Sequence, residues 1–287
     1  MENLEQFLQR FSSASTKQNY IKALKHFEEF QKLNSSRHIS TVLSAGEEQE
    51  KYQVLQDFIQ FLSGKLSASV TKNYFDCCFN FLYYSGVKIE HQKKRYFLRF
   101  PKIHKKRFEG LDRDKIVLLL RSCTSPQFRC YLAMLAGSGL RESEALQIQK
   151  SDFRIVGDIA VCKVRSEITK TKEQRDTMVP AAVLEKYEFA ESYSHAKLVY
   201  KEKLFSKLRR TAGLESPSRA ARAQNDITLH SFRAYFISTF SDMGLTAFGH
   251  SLAGHRAYMD EYYRTSESDR LDNYRRAIKK LDFSKFL

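Results

Sequence analysis

At 287 residues, with 42% hydrophobic residues and 22 phenylalanines, the chain can build one large core or two ordinary ones, which excludes a disordered reading. Lys and Arg number 48 against 33 Asp and Glu, a formal net charge of +15; such a basic chain points to a polyanion, nucleic acid first, with a generally basic proteome as the bland alternative. No apolar run approaches the ~20 residues of a membrane span, the amino terminus MENLEQFLQR is unlike a secretory signal, and five cysteines without a CxxC pair favour neither a disulfide framework nor a zinc ribbon. The expectation is a reduced protein of the cell interior.

Residues 1–92 read as short amphipathic helices. STKQNYIKALKHFEEFQKL opens with a capping box, Ser15 and Gln18, and sets Tyr20, Leu24, Phe27 and Phe30 on one face. EKYQVLQDFIQFLSG repeats the pattern with Tyr52, Leu55, Phe58 and Leu62 and is expected to stop at Gly64. SVTKNYFDCCFNFLYYSG does so with Phe75, Cys78, Phe79 and Leu82, ending at Gly86. These stripes read as core and the lysines as the outer faces. Residues 93–107 combine a charge run with one proline and no period, which predicts a basic linker. Its Lys93, Lys94, Arg95, Lys105, Lys106 and Arg107 are candidate DNA phosphate contacts, the alternative being a solvated tether.

Residues 108–287 form a second unit. DRDKIVLLLRSC and SPQFRCYLAMLAGSGLRESEALQIQ predict helices, GDIAVCKVRSEITKTKEQRDTMVP predicts the strands of a small sheet, and AAVLEKYEFAESY onward returns to helices. In AGSGLRESEAL, Gly137 and Gly139 break one helix and Arg141 opens the next, where free N–H groups and a guanidinium suit a phosphate. Glu144, three residues on, is placed to orient Arg141. In HSFRAYFISTF, His230 and Arg233 share a helical face while Phe232, Phe236 and Phe240 form an apolar stripe, leaving the His and Arg to another surface. No ordered carboxylate set suggests two-metal phosphoryl transfer, and no HExxH or zinc spacing occurs, so neither metal nor cofactor is expected.

Read in order, GSGLRESEALQIQKSDF, LHSFRAYF and LAGHRAYMDEYYR resemble the arginine box, the HxxR box and the Gly-His and nucleophile segments of the tyrosine recombinases, or phage integrases. The resemblance covers residues 108–287; for the first unit it rests only on the helical pattern. It departs from the family in Ala253, where an apolar Leu is usual, and in a short spacing from His255 to the tyrosine. The style of AGHRAYMDEYYR is similar to integrases of archaeal mobile elements.

The resemblance implies a mainly α protein with a small antiparallel β-sheet in its C-terminal domain, the two domains forming a C-shaped clamp. Residues 1–92 would be the helical core-binding domain and residues 108–287 the catalytic domain with a C-terminal exchange helix. It also implies a site-specific DNA recombinase or integrase, catalytic through Arg141, Lys170, His230, Arg233, His255 and Tyr262, working through a 3′-phosphotyrosine. Its partners would be double-stranded DNA attachment sites, further copies of itself in a tetramer and accessory DNA-bending proteins, and its place the cytoplasm, on DNA, for integration of a mobile or viral element. The alternatives are a type IB topoisomerase-like enzyme or a non-catalytic DNA binder with the same fold. Two assignments stay open. Lys170 stands five before Arg175 and begins a Lys-Thr pair, whereas Lys172 stands eight before Pro180. Tyr262 is followed two residues on by Arg264, whereas Tyr263 gives the longer spacing from His255. Tyr258 reads as packing. Leu271, Tyr274, Ile278 and Leu281 form the apolar stripe of the C-terminal helix, which either passes to a neighbour or packs on its own domain.

Overall fold

The computed structural model describes residues 2–90, 92–103, 110–190, 194–215, 227–258 and 265–287. The chain divides into two units, residues 1–106 and 107–287.

The first unit is helical: α1 (Glu2–Gln9), α2 (Ala14–Leu33), α3 (Ile39–Ala45), α4 (Glu48–Lys65), α5 (Ala68–Tyr84) and the short α6 (Lys94–Phe97). The stripes of α2, α4 and α5 meet in one aromatic core, with Phe27 and Phe58 edge to face at 4.9 Å. Two boundaries move. Helix α2 is capped by Ser13, whose hydroxyl accepts the Thr16 N–H, so it begins before the expected box at Ser15. Helix α4 runs through Gly64 to Lys65, since tertiary packing overrides glycine's weak helix propensity.

The basic stretch from residue 93 is not a free linker at its start. Leu98 is buried in the first core. The Lys94 ammonium pairs with Asp76 and lies 4.9 and 4.5 Å from the centres of the Phe75 and Phe79 rings. Lys93 pairs with Glu48 and Glu90, both at 3.0 Å. Arg95 projects over the ring of exposed Tyr96. Lys105, Lys106 and Arg107 lie outside the described residues.

The second unit starts with α7 (Arg113–Ser122), α8 (Pro126–Ser138) and the single turn α9 (Glu142–Ala145). A three-stranded antiparallel sheet follows in the order β1 (Phe153–Val156), β2 (Ile159–Val164), β3 (Arg175–Pro180). Its register pairs Val156 with Ile159 across the Gly157 turn and Val164 with Arg175. The first strand lies ahead of that glycine, upstream of the segment expected to form the sheet. Then come α10 (Ala181–Glu185), α11 (His195–Thr211), α12 (His230–Ser241), α13 (Thr246–Leu252) and a C-terminal helix (Glu267–Leu281).

Helix α8 is buried on every side from Cys130 to Ser138 and is the axis of the unit, packing against α12 and β3. Gly137 lies inside it rather than breaking it; the break is at Gly139 (φ +61°). The C-terminal helix belongs to this core. Leu271, Tyr274, Ala277 and Leu281 are buried, and the Tyr274 hydroxyl donates to the Gly137 carbonyl at 2.6 Å. Arg113 and the Tyr235 hydroxyl hold the carbonyls that end it. In this single chain the stripe packs within its own domain.

At Gly139 a Cβ would run into the fully buried ring of Phe236. Gly139→Ala should destabilise the second unit by about 2–4 kcal/mol, through both overpacking and the positive φ. Gly213→Ala, at φ +67° with open space around it, should cost only about 1 kcal/mol. Urea unfolding of both variants checks this, and equal destabilisation would show that the Phe236 contact is immaterial.

Candidate active site

Three turns, distant in sequence, converge. The first follows α8. Gly139 caps that helix in the left-handed region, and Leu140 carries the chain to Arg141, the residue capping α9. Helix α9 is one turn long, and the Arg141 N–H is taken by the Glu144 carboxylate at 2.8 Å. Glu144 also accepts the Arg141 guanidinium at 2.7 Å and the Arg175 guanidinium twice, at 3.1 and 2.6 Å. Those donors match the lone-pair capacity of a carboxylate.

Arg175, first residue of β3, figures in the sequence only as a marker for the lysine. It is buried, and its Nε donates to the Leu252 carbonyl at 3.1 Å. Arg233, from α12, is also buried rather than turned to another surface. Its guanidinium donates to the Gly139 carbonyl at 2.5 Å and to the carbonyl of Ala253. Arg175 and Arg233 thus hold adjacent carbonyls at the end of α13, beside the Gly-His turn. A Cβ at Gly254 (φ +78°) would stand 2.6 Å from the Arg175 side chain, so that turn requires glycine.

The charge balance is uneven. Arg141, Arg175 and Arg233 face the single buried carboxylate of Glu144, three positive charges against one. Burial alone would raise the Glu144 carboxyl, but the bonds and charge of Arg175, then Arg141, hold it down at about 2. Burial, then Arg141 and Arg175, push Arg233 down to about 9. Burial, then Arg233 and His250, push His255 down to about 4, so it is neutral near pH 7. Arg141 is the partly open guanidinium of the set. Such a cluster suits an anion with several oxygens.

The remaining candidates lie as follows. His230 is exposed at the start of α12. Lys170 is exposed in the β2–β3 connection rather than on a strand and has no hydrogen-bond partner among the described residues. Lys172, at φ +59°, donates to the Glu167 carbonyl at 3.3 Å. Tyr258 stacks on His250 at 4.8 Å. Tyr262 and Tyr263 lie outside the described residues. Arg175 is the member that sequence reasoning missed; an arginine opening a strand that runs on into Met178 and Val179 was the available signal.

No family model and no curated protein matches the chain by sequence. Solved structures do match. The XerH site-specific recombinase bound to palindromic difH substrate is 18% identical, with 94% of this chain and 82% of that one covered at a TM-score of 0.63. A lambda integrase (75–356) dimer bound to a COC′ core site is 14% identical, covering 93% and 98%, TM-score 0.61. A lambda integrase tetramer bound to a Holliday junction is 15% identical, covering 89% and 75%, TM-score 0.64. The chain has the tyrosine-recombinase fold. No helix among the described residues is long and apolar enough to cross a membrane.

A carboxyl lowered from 4.5 to about 2 on folding stabilises the protein above its unfolded pKa, and that contribution disappears as pH falls through the folded value. The stability gap between wild type and Glu144→Gln should be about 3 kcal/mol at neutral pH. It should close as pH falls from about 5 to about 2. Denaturant titrations across that range measure it; a gap independent of pH would mean that Glu144 is not an anion in the fold.

Proposed function

We propose that the chain is a site-specific recombinase or integrase that cleaves and rejoins double-stranded DNA through a 3′-phosphotyrosine. The observation that carries this reading is the pair of guanidiniums, Arg141 and Arg175, on the buried Glu144 carboxylate, with the buried Arg233 held on the Gly139 and Ala253 carbonyls, within the tyrosine-recombinase fold. A phosphodiester gains negative charge as it is attacked, and fixed guanidiniums stabilise that charge where it develops.

In this reading Arg141 offers its open fork to the phosphate, Arg233 adds charge from beneath, and His230 and His255 complete the oxygen contacts. The Tyr262 oxygen attacks phosphorus, the bond to the 5′ oxygen breaks, and Lys170 protonates that leaving oxygen. Rejoining reverses the step with a 5′ hydroxyl as nucleophile. The second unit is the catalytic domain and the first a core-binding domain. Self-association to a tetramer on two attachment sites, accessory DNA-bending proteins, and integration or excision of a mobile or viral element belong to the same proposal. Passing the C-terminal helix to a neighbouring copy belongs to the same proposal.

A nicked suicide duplex carrying the DNA that flanks the gene should trap a covalent adduct in excess EDTA. Tyr262→Phe should bind this duplex and form no adduct, because it deletes only the nucleophilic oxygen; Tyr263→Phe should retain it. Adduct on Tyr263 would move the nucleophile and keep the reaction. Relaxation of supercoils without strand exchange would favour the type IB topoisomerase-like alternative, and DNA binding with no adduct in wild type the non-catalytic one.

Phosphate contacts by the basic strip fall chiefly on Arg95, Lys105, Lys106 and Arg107, because Lys93 and Lys94 already hold carboxylates. Neutralising those four should reduce the slope of log affinity against log salt by about 0.9 for each phosphate that is then left unbound. An unchanged slope would make the strip a tether.

A further inference from the structure

Helix α13 ends in a Schellman closure. The Gly254 N–H donates to the Ser251 carbonyl at 2.8 Å, and the His255 N–H to the His250 carbonyl at 3.0 Å. This closure brings the side chains of residues 250 and 255 together, at a place where an apolar contact usually sits. Here the slot holds two imidazoles. Nδ1 of His250 is 2.5 Å from Nδ1 of His255, and the Tyr258 ring stacks on His250 at 21° to its plane.

Two ring nitrogens this close share a single hydrogen between them. Its owner sets the tautomer of both rings. If His255 owns it, the outer Nε2 of His255 is a bare acceptor that repels a phosphate oxygen. If His250 owns it, that Nε2 carries a hydrogen and donates.

We infer that His250 donates through Nδ1 to Nδ1 of His255, and is a positioning residue that fixes His255 as an Nε2–H donor to a phosphodiester oxygen. The assignment rests on the phosphate-binding reading above. The surroundings agree with it. Arg233, Arg141 and Arg175 crowd His255, and with its burial they keep it neutral. His255 therefore has one ring hydrogen to place, and an anion among those guanidiniums requires it on the outer nitrogen. This residue stands outside the recombinase-like boxes and acts only through its neighbour.

The tautomer can be read directly. Full-length chain labelled with ¹⁵N-histidine, with the His255 signals assigned by their disappearance in His255→Gln, should show hydrogen on Nε2 and a bare Nδ1. His250→Gln, whose amide can still donate, should keep that pattern. His250→Leu, which supplies the apolar contact usual in such closures, should give a mixture of tautomers. On the suicide duplex, His250→Leu should form adduct roughly tenfold more slowly at unchanged DNA affinity, and His250→Gln should restore most of the rate. Hydrogen on Nδ1 of His255 in wild type, or an unaltered pattern in His250→Leu, would overturn the assignment. If His250→Leu does not fold, the wild-type and His250→Gln spectra still decide it. Wild type with hydrogen on Nε2 and no adduct would count against strand transfer while leaving the His250 assignment in place.

Discussion

The site depends on one buried anion. Glu144 has no exposed surface, and a carboxylate there is tolerable only because two guanidiniums and a backbone N–H fill its lone pairs. Its partners come from different places: Arg141 from the same turn, Arg175 from the first residue of β3. The pair ties the sheet to the turn after α8. A buried ion pair is weak evidence for stability, because apolar residues of similar volume often do as well. What it supplies here is direction. With one nitrogen of its fork held by Glu144, Arg141 keeps the rest of its donors together on the open side.

The backbone completes what Glu144 begins. Gly139 and Gly254 both adopt positive φ, and both lie against a side chain that leaves no room for a Cβ: the ring of Phe236 in one case, the Arg175 stem in the other. Their turns present carbonyls inward, and the buried arginines take them, Arg233 from Gly139 and Ala253, Arg175 from Leu252. Each arginine satisfies carbonyls that the tight turns leave unpaired, and each turn fixes an arginine. Loosening either loosens both, which is why a contact as remote as Phe236 on Gly139 bears on the arginine cluster.

Short-range features of this arrangement were legible in the sequence. Arg141 with Glu144 and His255 after a glycine are local patterns, which the ordered resemblance brings forward. The helical stripes of the first unit were legible for the same reason: each face repeats within one helix. Pairing across distance was not legible. Nothing local to Arg175 says that it will meet Glu144, or that Arg233 will be buried on the carbonyls of Gly139 and Ala253. The basic stretch misled for a related reason. Lys94 counts as charge in a composition, yet its ammonium lies over Phe75 and Phe79, and Leu98 pins the chain to the first core. The C-terminal stripe was visible, but its partner surface, chiefly on α12 and β3, was not.

Glu144 holds two guanidiniums, while the third, Arg233, is buried on backbone carbonyls. Burial and like charge hold Arg233 down at about 9 and keep His255 uncharged. An oxyanion beside Arg141 would offset that like charge. Linkage makes the relation reciprocal: whatever anion raises the affinity of Arg233 for its proton is bound more tightly by the same amount. The effect grows with the charge on the anion. In the proposed reaction, a phosphodiester that gains charge on being attacked would therefore be held better at the moment of attack than before it, and differential binding of that kind is what accelerates a reaction.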